Sequence, residues 1–176
     1  MVGERGQCDA DHKTEAVWQD AEYEYGRTFF SVDYAGRSDL FEKLDIWKDE
    51  KYRTMQGTYP VIALSFADIK DTTFSSARKS ICYKIKKLYN KYDFLLKSDC
   101  LNDDEKEMFK KISPEMENYL AADSIRSLAD YMGRFYGKKV IILLDEYDTP
   151  MQEAYMHGYW SGSAFTNRRK TLCSIT

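Results

Sequence analysis

The sequence has little of what metal centres, disulfide scaffolds or membrane spans require. Its four cysteines, Cys8, Cys82, Cys100 and Cys173, form no CxxC pair and follow no regular spacing, so reduced thiols and a cytoplasmic chain are expected. The two histidines, His12 and His157, are far apart and fit no zinc motif. The longest apolar run is Val140–Leu144, whereas a helical membrane span needs about 18 residues. Residues 1–18 contain no apolar core of the kind a secretory signal needs. A basic excess is also missing. Lys and Arg total 26 against 29 Asp and Glu, a formal charge of -3, and a polyanion-binding chain usually has the opposite balance.

What is present suits one domain, or slightly more, in 176 residues. The chain is 43% hydrophobic and 31% charged, which argues against wholesale disorder. Fourteen tyrosines are expected mostly as half-buried packing residues with a wet hydroxyl.

Residues 1–28 are polar and charged, with a weak helical pattern around Ala16 to Tyr25, and read as an irregular start. Phe29, Phe30 and Val32 begin a more structured stretch, in which Leu40, Phe41 and Leu44 recur at helical spacing and Ser38 with Asp39 is placed to cap a short helix. Residues 59–66, Tyr-Pro-Val-Ile-Ala-Leu-Ser-Phe, are nearly continuous in apolar character and predict a strand covered on both faces. Ala67–Asp71 leaves it as a loop. Over 74–92 the residues Ala77, Ile81, Ile85, Leu88 and Tyr92 mark one face of a helix, Cys82 is expected in the core or on its flank, and Lys84, Lys86, Lys87 and Lys91 lie mostly on the solvated side. Asn102 and Glu105 are spaced for a capping box on a helix carrying Met108, Phe109 and Ile112. Ser113-Pro114 ends that helix and is a possible start for the next. Ile125, Leu128, Ala129, Met132, Phe135 and Tyr136 define a further helix, stopped at Gly137. Met151, Ala154 and Tyr155 mark a helix after Pro150, Gly158 breaks it, and Phe165 with Leu172 are candidate anchors of a last one.

Val140–Leu144 is the strongest strand signal. Five apolar residues predict a central strand of a mostly parallel sheet, covered on both faces. Asp145 and Glu146 follow at its carboxyl end, where open α/β sheets bind their ligands. A carboxylate there suits Mg²⁺ through water, and a second suits polarising an attacking water. The usual phosphate cradle, GxxxxGK[ST], does not occur. Gly3-Glu4-Arg5-Gly6 has two glycines without the Gly-Lys-Ser/Thr ending. No Ser–His–Asp arrangement is defensible, His157 reads as a surface residue, and no strand carries the acid and Glu/Gln-x-Lys unit of a restriction-type nuclease.

The unit Asp145-Glu146-Tyr147-Asp148-Thr149-Pro150 directly after the apolar strand resembles the predicted AAA-type ATPase domain of bacteria that is often fused to a nuclease-like domain of the PD-(D/E)xK kind. Phe29-Phe30-Ser31 to Ile46, Tyr59 to Phe66, Phe135 to Lys139, and Ala154 to Trp160 resemble the segments around it. The resemblance implies an α/β fold: a partial P-loop-NTPase-like sheet of mostly parallel strands with covering helices, occupying residues 29–165 between a divergent start, 1–28, and a divergent tail, 166–176. It implies ATP and Mg²⁺ as cofactors, a Walker B role for Asp145 as metal ligand, and water activation by Glu146. Family members carry a phosphate loop before the position of Phe29. Here Glu24-Tyr25-Gly26-Arg27-Thr28 stands in that place, with Arg27 the one candidate phosphate contact. The chain therefore resembles part of an ATPase, weak or inactive in hydrolysis, whose partners are copies of itself or the missing domains of a longer protein. A sheet lacking its first strand leaves an open edge. The competing reading is a non-enzymatic interaction module with a tyrosine-rich surface, or a nonfunctional fragment of a longer ATPase.

Overall fold

The computed structural model describes residues 23–160. Of the weak helical pattern expected around Ala16 to Tyr25, residues 16–22 lie outside the described residues and Tyr23–Tyr25 are helical; the expectations for Phe165 and Leu172 and for the tail at 166–176 also lie outside them. The elements, in chain order, are a helix over 23–30 (α1), a short helix Glu50–Arg53 (α2), strand Val61–Ser65 (β1), helix Phe74–Lys91 (α3), helix Asp103–Lys111 (α4), helix Asn118–Tyr136 (α5), strand Ile141–Asp145 (β2) and helix Thr149–Met156 (α6). Short 3-10 turns lie at Val32–Tyr34, Ser38–Leu40, Asp45–Lys48 and Asp93–Lys97. The two strands pair as a parallel sheet, so the α/β class holds. None of the described helices is long and apolar enough to cross a membrane.

The described residues divide into two compact units, 23–63 with 129–143 and 64–128 with 144–160. In the first, ring packing supplies the core. Phe29 and Phe41 are both 2% exposed and meet edge to face at 5.0 Å, with Tyr25 and Trp47 also against Phe41. Backbone bonds draw the end of α1 beside the approach to β1: the Gly57 N–H donates to the Phe29 carbonyl (2.8 Å), and the Val32 N–H to the Tyr59 carbonyl (2.9 Å). Gly57 has φ +62° and a Cβ there would lie 2.3 Å from the Ala35 Cα, so only glycine fits. Ser38 opens a 3-10 turn rather than capping a helix. The residue before that turn, Arg37, makes no side-chain cap bond, and its guanidinium is engaged by Asp39.

In the second unit α3 begins at a Thr73 cap and buries Ala77, Cys82, Ile85, Leu88 and Tyr89. The Tyr89 hydroxyl donates to the Ser124 carbonyl (2.7 Å), and its ring meets Phe109 at 4.6 Å. Lys84 pairs with Asp68 in the loop after β1, and Lys87 lies over the Tyr83 ring, as suits a solvated face. The Asn102–Glu105 capping box is formed in both directions at 2.9 Å. The next helix starts at Asn118, not at Ser113-Pro114, where the chain makes a turn instead. At the far end of α5, within the first unit, Gly137 takes φ +63° and the Lys138 N–H reaches the Gly133 carbonyl (3.2 Å), the predicted left-handed stop.

The expectation that β2 is covered on both faces is also overturned. β1 is well covered, with Ile62 0% and Val61 4% exposed, but burial alternates along β2, leaving Ile142 37% and Leu144 41% exposed. Among the described residues β2 has one strand neighbour and stands at an edge of the sheet, where a central strand was expected. An all-apolar run marks a surface able to be buried. With period-two side chains, the face carrying Ile142 and Leu144 is left open.

Candidate functional site

The site is the end of β2 and the turn after it. The last ladder bond runs from the Phe66 N–H to the Asp145 carbonyl (2.9 Å), fixing Asp145 at the strand's carboxyl end. Its side chain is half-buried, and among the described residues its carboxylate has no hydrogen-bond partner. Glu146 then adopts φ +50°, the one non-glycine positive φ among the described residues. That conformation costs an L-residue about 1–2 kcal/mol, and it bends the chain sharply away from the strand direction.

Thr149 holds the bend closed. Its N–H donates to the Glu146 carbonyl (3.1 Å) and its hydroxyl to the Glu146 carboxylate (2.9 Å). Thr149 is 8% exposed, so this anchor is shielded. Helix α6 starts at once. Pro150 stands in its first turn, where a missing N–H costs nothing, and the Asp148 carbonyl accepts the N–H groups of Met151 and Gln152 (both 2.9 Å). The Asp148 carboxylate does not cap the helix and instead accepts from the Gln152 side chain (2.7 Å). The sequence thus places two acids side by side with different fates: Asp145 is uncommitted, and Glu146 is positioned by its own loop. Thr149 and Asp148, read from sequence only as parts of a motif, have the structural task of fixing Glu146 and starting α6.

Arg27, the other sequence-derived candidate, lies in the first unit. Gly26-Arg27-Thr28 is helical, within α1, and makes no phosphate-cradling loop. Both Nε and Nη2 of Arg27 donate to the Glu24 carboxylate (3.1 and 2.7 Å). Partial burial disfavours the Arg27 charge, and the Glu24 bond and charge more than offset it, so its pKa lies above the ordinary guanidinium value. His157 pairs with Glu153 on α6 at 3.3 Å and is exposed, in keeping with a surface role.

Mg²⁺ typically takes one or two carboxylates and completes its octahedron with waters and substrate phosphates. Asp145 fits that demand, offering hard oxygens with no hydrogen-bond partner among the described residues. Among the described residues no three His, Cys, Asp or Glu side chains converge to hold a metal by themselves.

A feature the sequence did not disclose lies in the same unit as the acids. A cavity of about 590 Å³ opens between α3, the start of α5 and α6, with Phe74, Ile81, Ala122, Tyr147, Met151 and Tyr159 in its wall. Its residues come from segments up to 93 positions apart (Phe66 to Tyr159), and helical periodicity marks an apolar face without saying which faces meet.

A family model described as predicted AAA-ATPase, AAA-ATPase-like, matches residues 26–172. No curated protein and no solved structure matches the chain.

Proposed function

The chain belongs to the predicted AAA-ATPase family, and from that premise we propose that it is an ATPase-like domain retaining the acidic half of a nucleotide site. In this reading Asp145 is the Walker B residue and holds Mg²⁺ through water, and Glu146 orients the water that attacks the terminal phosphate. Bound Mg²⁺ supplies charge neutralisation at the phosphate oxygens. The observation that supports the reading best is a carboxylate at the carboxyl end of a parallel strand, without a partner among the described residues, next to a neighbour held in a left-handed turn by Thr149. Backbone strain of this kind concentrates where side-chain aim matters.

The phosphate side is the weak half. With no GxxxxGK[ST] in the sequence, the cradle of backbone N–H groups and its lysine are missing. Arg27 contributes only on leaving Glu24. Mg·ATP binding is therefore weak, in the millimolar range or about −4 kcal/mol, and hydrolysis is slow or absent. Calorimetric titration with Mg·ATP tests this: binding of that order, abolished by Asp145→Asn, supports the reading, and no binding by the unaltered chain refutes it. A second reading, a non-enzymatic interaction module, is favoured by the exposed Phe74, Tyr147 and Met151 around one opening.

A further inference from the structure

The apolar cavity in the second unit has three large side chains standing open at its mouth: Phe74 is 53%, Tyr147 66% and Met151 43% exposed. Scattered exposed apolar residues need no explanation, but several around one concavity mark a surface that is covered by something. The path of the chain says what. After α6, Gly158 turns with φ +71°, the Trp160 N–H donates to the Ala154 carbonyl (3.0 Å), and the Tyr159 hydroxyl donates to the Asp71 carbonyl (2.9 Å). Tyr159 is itself part of the cavity wall. These bonds deliver residue 160 to the rim.

Sixteen residues follow, 161–176, and the family match continues through 172. Phe165 lies five positions beyond Trp160, within about 17 Å of extended chain. The next charges are basic, Arg168-Arg169-Lys170, whereas the loop carrying Tyr147 holds Asp145, Glu146 and Asp148. Tethering also gives this segment a local concentration of the order of millimolar, well above that of a free partner. We propose that residues 161–176 dock on their own domain, with the Phe165 ring seated in the cavity between Phe74 and Met151 and the basic run beside the acidic loop. The inference does not depend on nucleotide binding.

Replacing Phe165 by p-benzoylphenylalanine in the full chain, irradiating a dilute solution and mapping the adducts by peptide mass spectrometry reads the contact directly. The expected result is adducts within one chain at Met151, Phe74 or Ala122, lost when Ala122→Trp fills the cavity. Adducts only between chains assign the cavity to a second copy, and adducts elsewhere or none leave it without this occupant; either result overturns the proposal, as does an adduct yield unchanged by Ala122→Trp. The same probe at Ser163 leaves Phe165 in place, so a folding defect in the first variant still leaves a decisive reading.

Discussion

At the scale of single residues, Glu146 concentrates the account. A left-handed glutamate costs about 1–2 kcal/mol, and its bond from the Thr149 hydroxyl returns about 1 kcal/mol. Glu146→Gly removes both, so its melting temperature should stay within a few degrees of the parent's or rise slightly. A large loss of stability would show that the bend is not strained. Cys82 behaves in the opposite way, as a residue defined by what surrounds it. It is 0% exposed, and burial pushes its thiol pKa up. A group that stays neutral in the fold stabilises it below the unfolded thiol's pKa of about 8.5. That contribution is lost as pH rises from there through the folded value, because only the unfolded chain gains by ionising. Thermal stability should therefore fall from about pH 8 to about pH 10 less steeply in Cys82→Ala than in the parent. Identical slopes would remove Cys82 from the alkaline behaviour. The sequence identified Cys82 as a core or flank residue from its neighbour Ile81, and named Asp145 and Glu146 from their place after an apolar run. It had no signal for the positive φ of Glu146, since that depends on a turn closed by Thr149 and on α6 starting immediately behind it.

At the scale of elements, local rules were legible and partnerships were not. The extents of α3 and α4, the Asn102–Glu105 capping box and the Gly137 stop depend on residues within a few positions of each other, and all are present as read. The start of α5 was misplaced because proline at Ser113-Pro114 is equally at home in a turn. β1 and β2 look alike in sequence, yet Ile62 is fully buried and Ile142 is 37% exposed. Apolar composition fixes which surface is able to be buried, and the covering element lies elsewhere in the chain or in another molecule. The difference has a direct consequence. Ile62→Ala should cost about 2–5 kcal/mol in urea unfolding, whereas Ile142→Ala, at a position that is 37% exposed, should cost less, about 1–2 kcal/mol. Equal losses would mean that β2 is covered on both faces after all.

At the scale of the whole molecule, an α/β chain of the predicted AAA-ATPase family shows a two-stranded parallel sheet among its described residues. Such a sheet has two edges, and an apolar strand with Ile142 and Leu144 open is the kind of surface that recruits another chain. Sedimentation velocity should accordingly show a mean mass that rises with protein concentration, and a monomer at every concentration would contradict this. The family's fold class was readable because the acidic motif and the strand before it are contiguous in sequence. The apolar cavity was not, because Phe74 and Tyr159 meet only through the fold. The central proposal is that Asp145 is a metal ligand and that a sequence without GxxxxGK[ST] binds Mg·ATP only weakly. Heats of Mg·ATP titration into the unaltered chain and into Asp145→Asn measure it: weak, Mg²⁺-dependent heats that vanish in the variant are predicted, and heats that are absent from both, or the same in both, would contradict it.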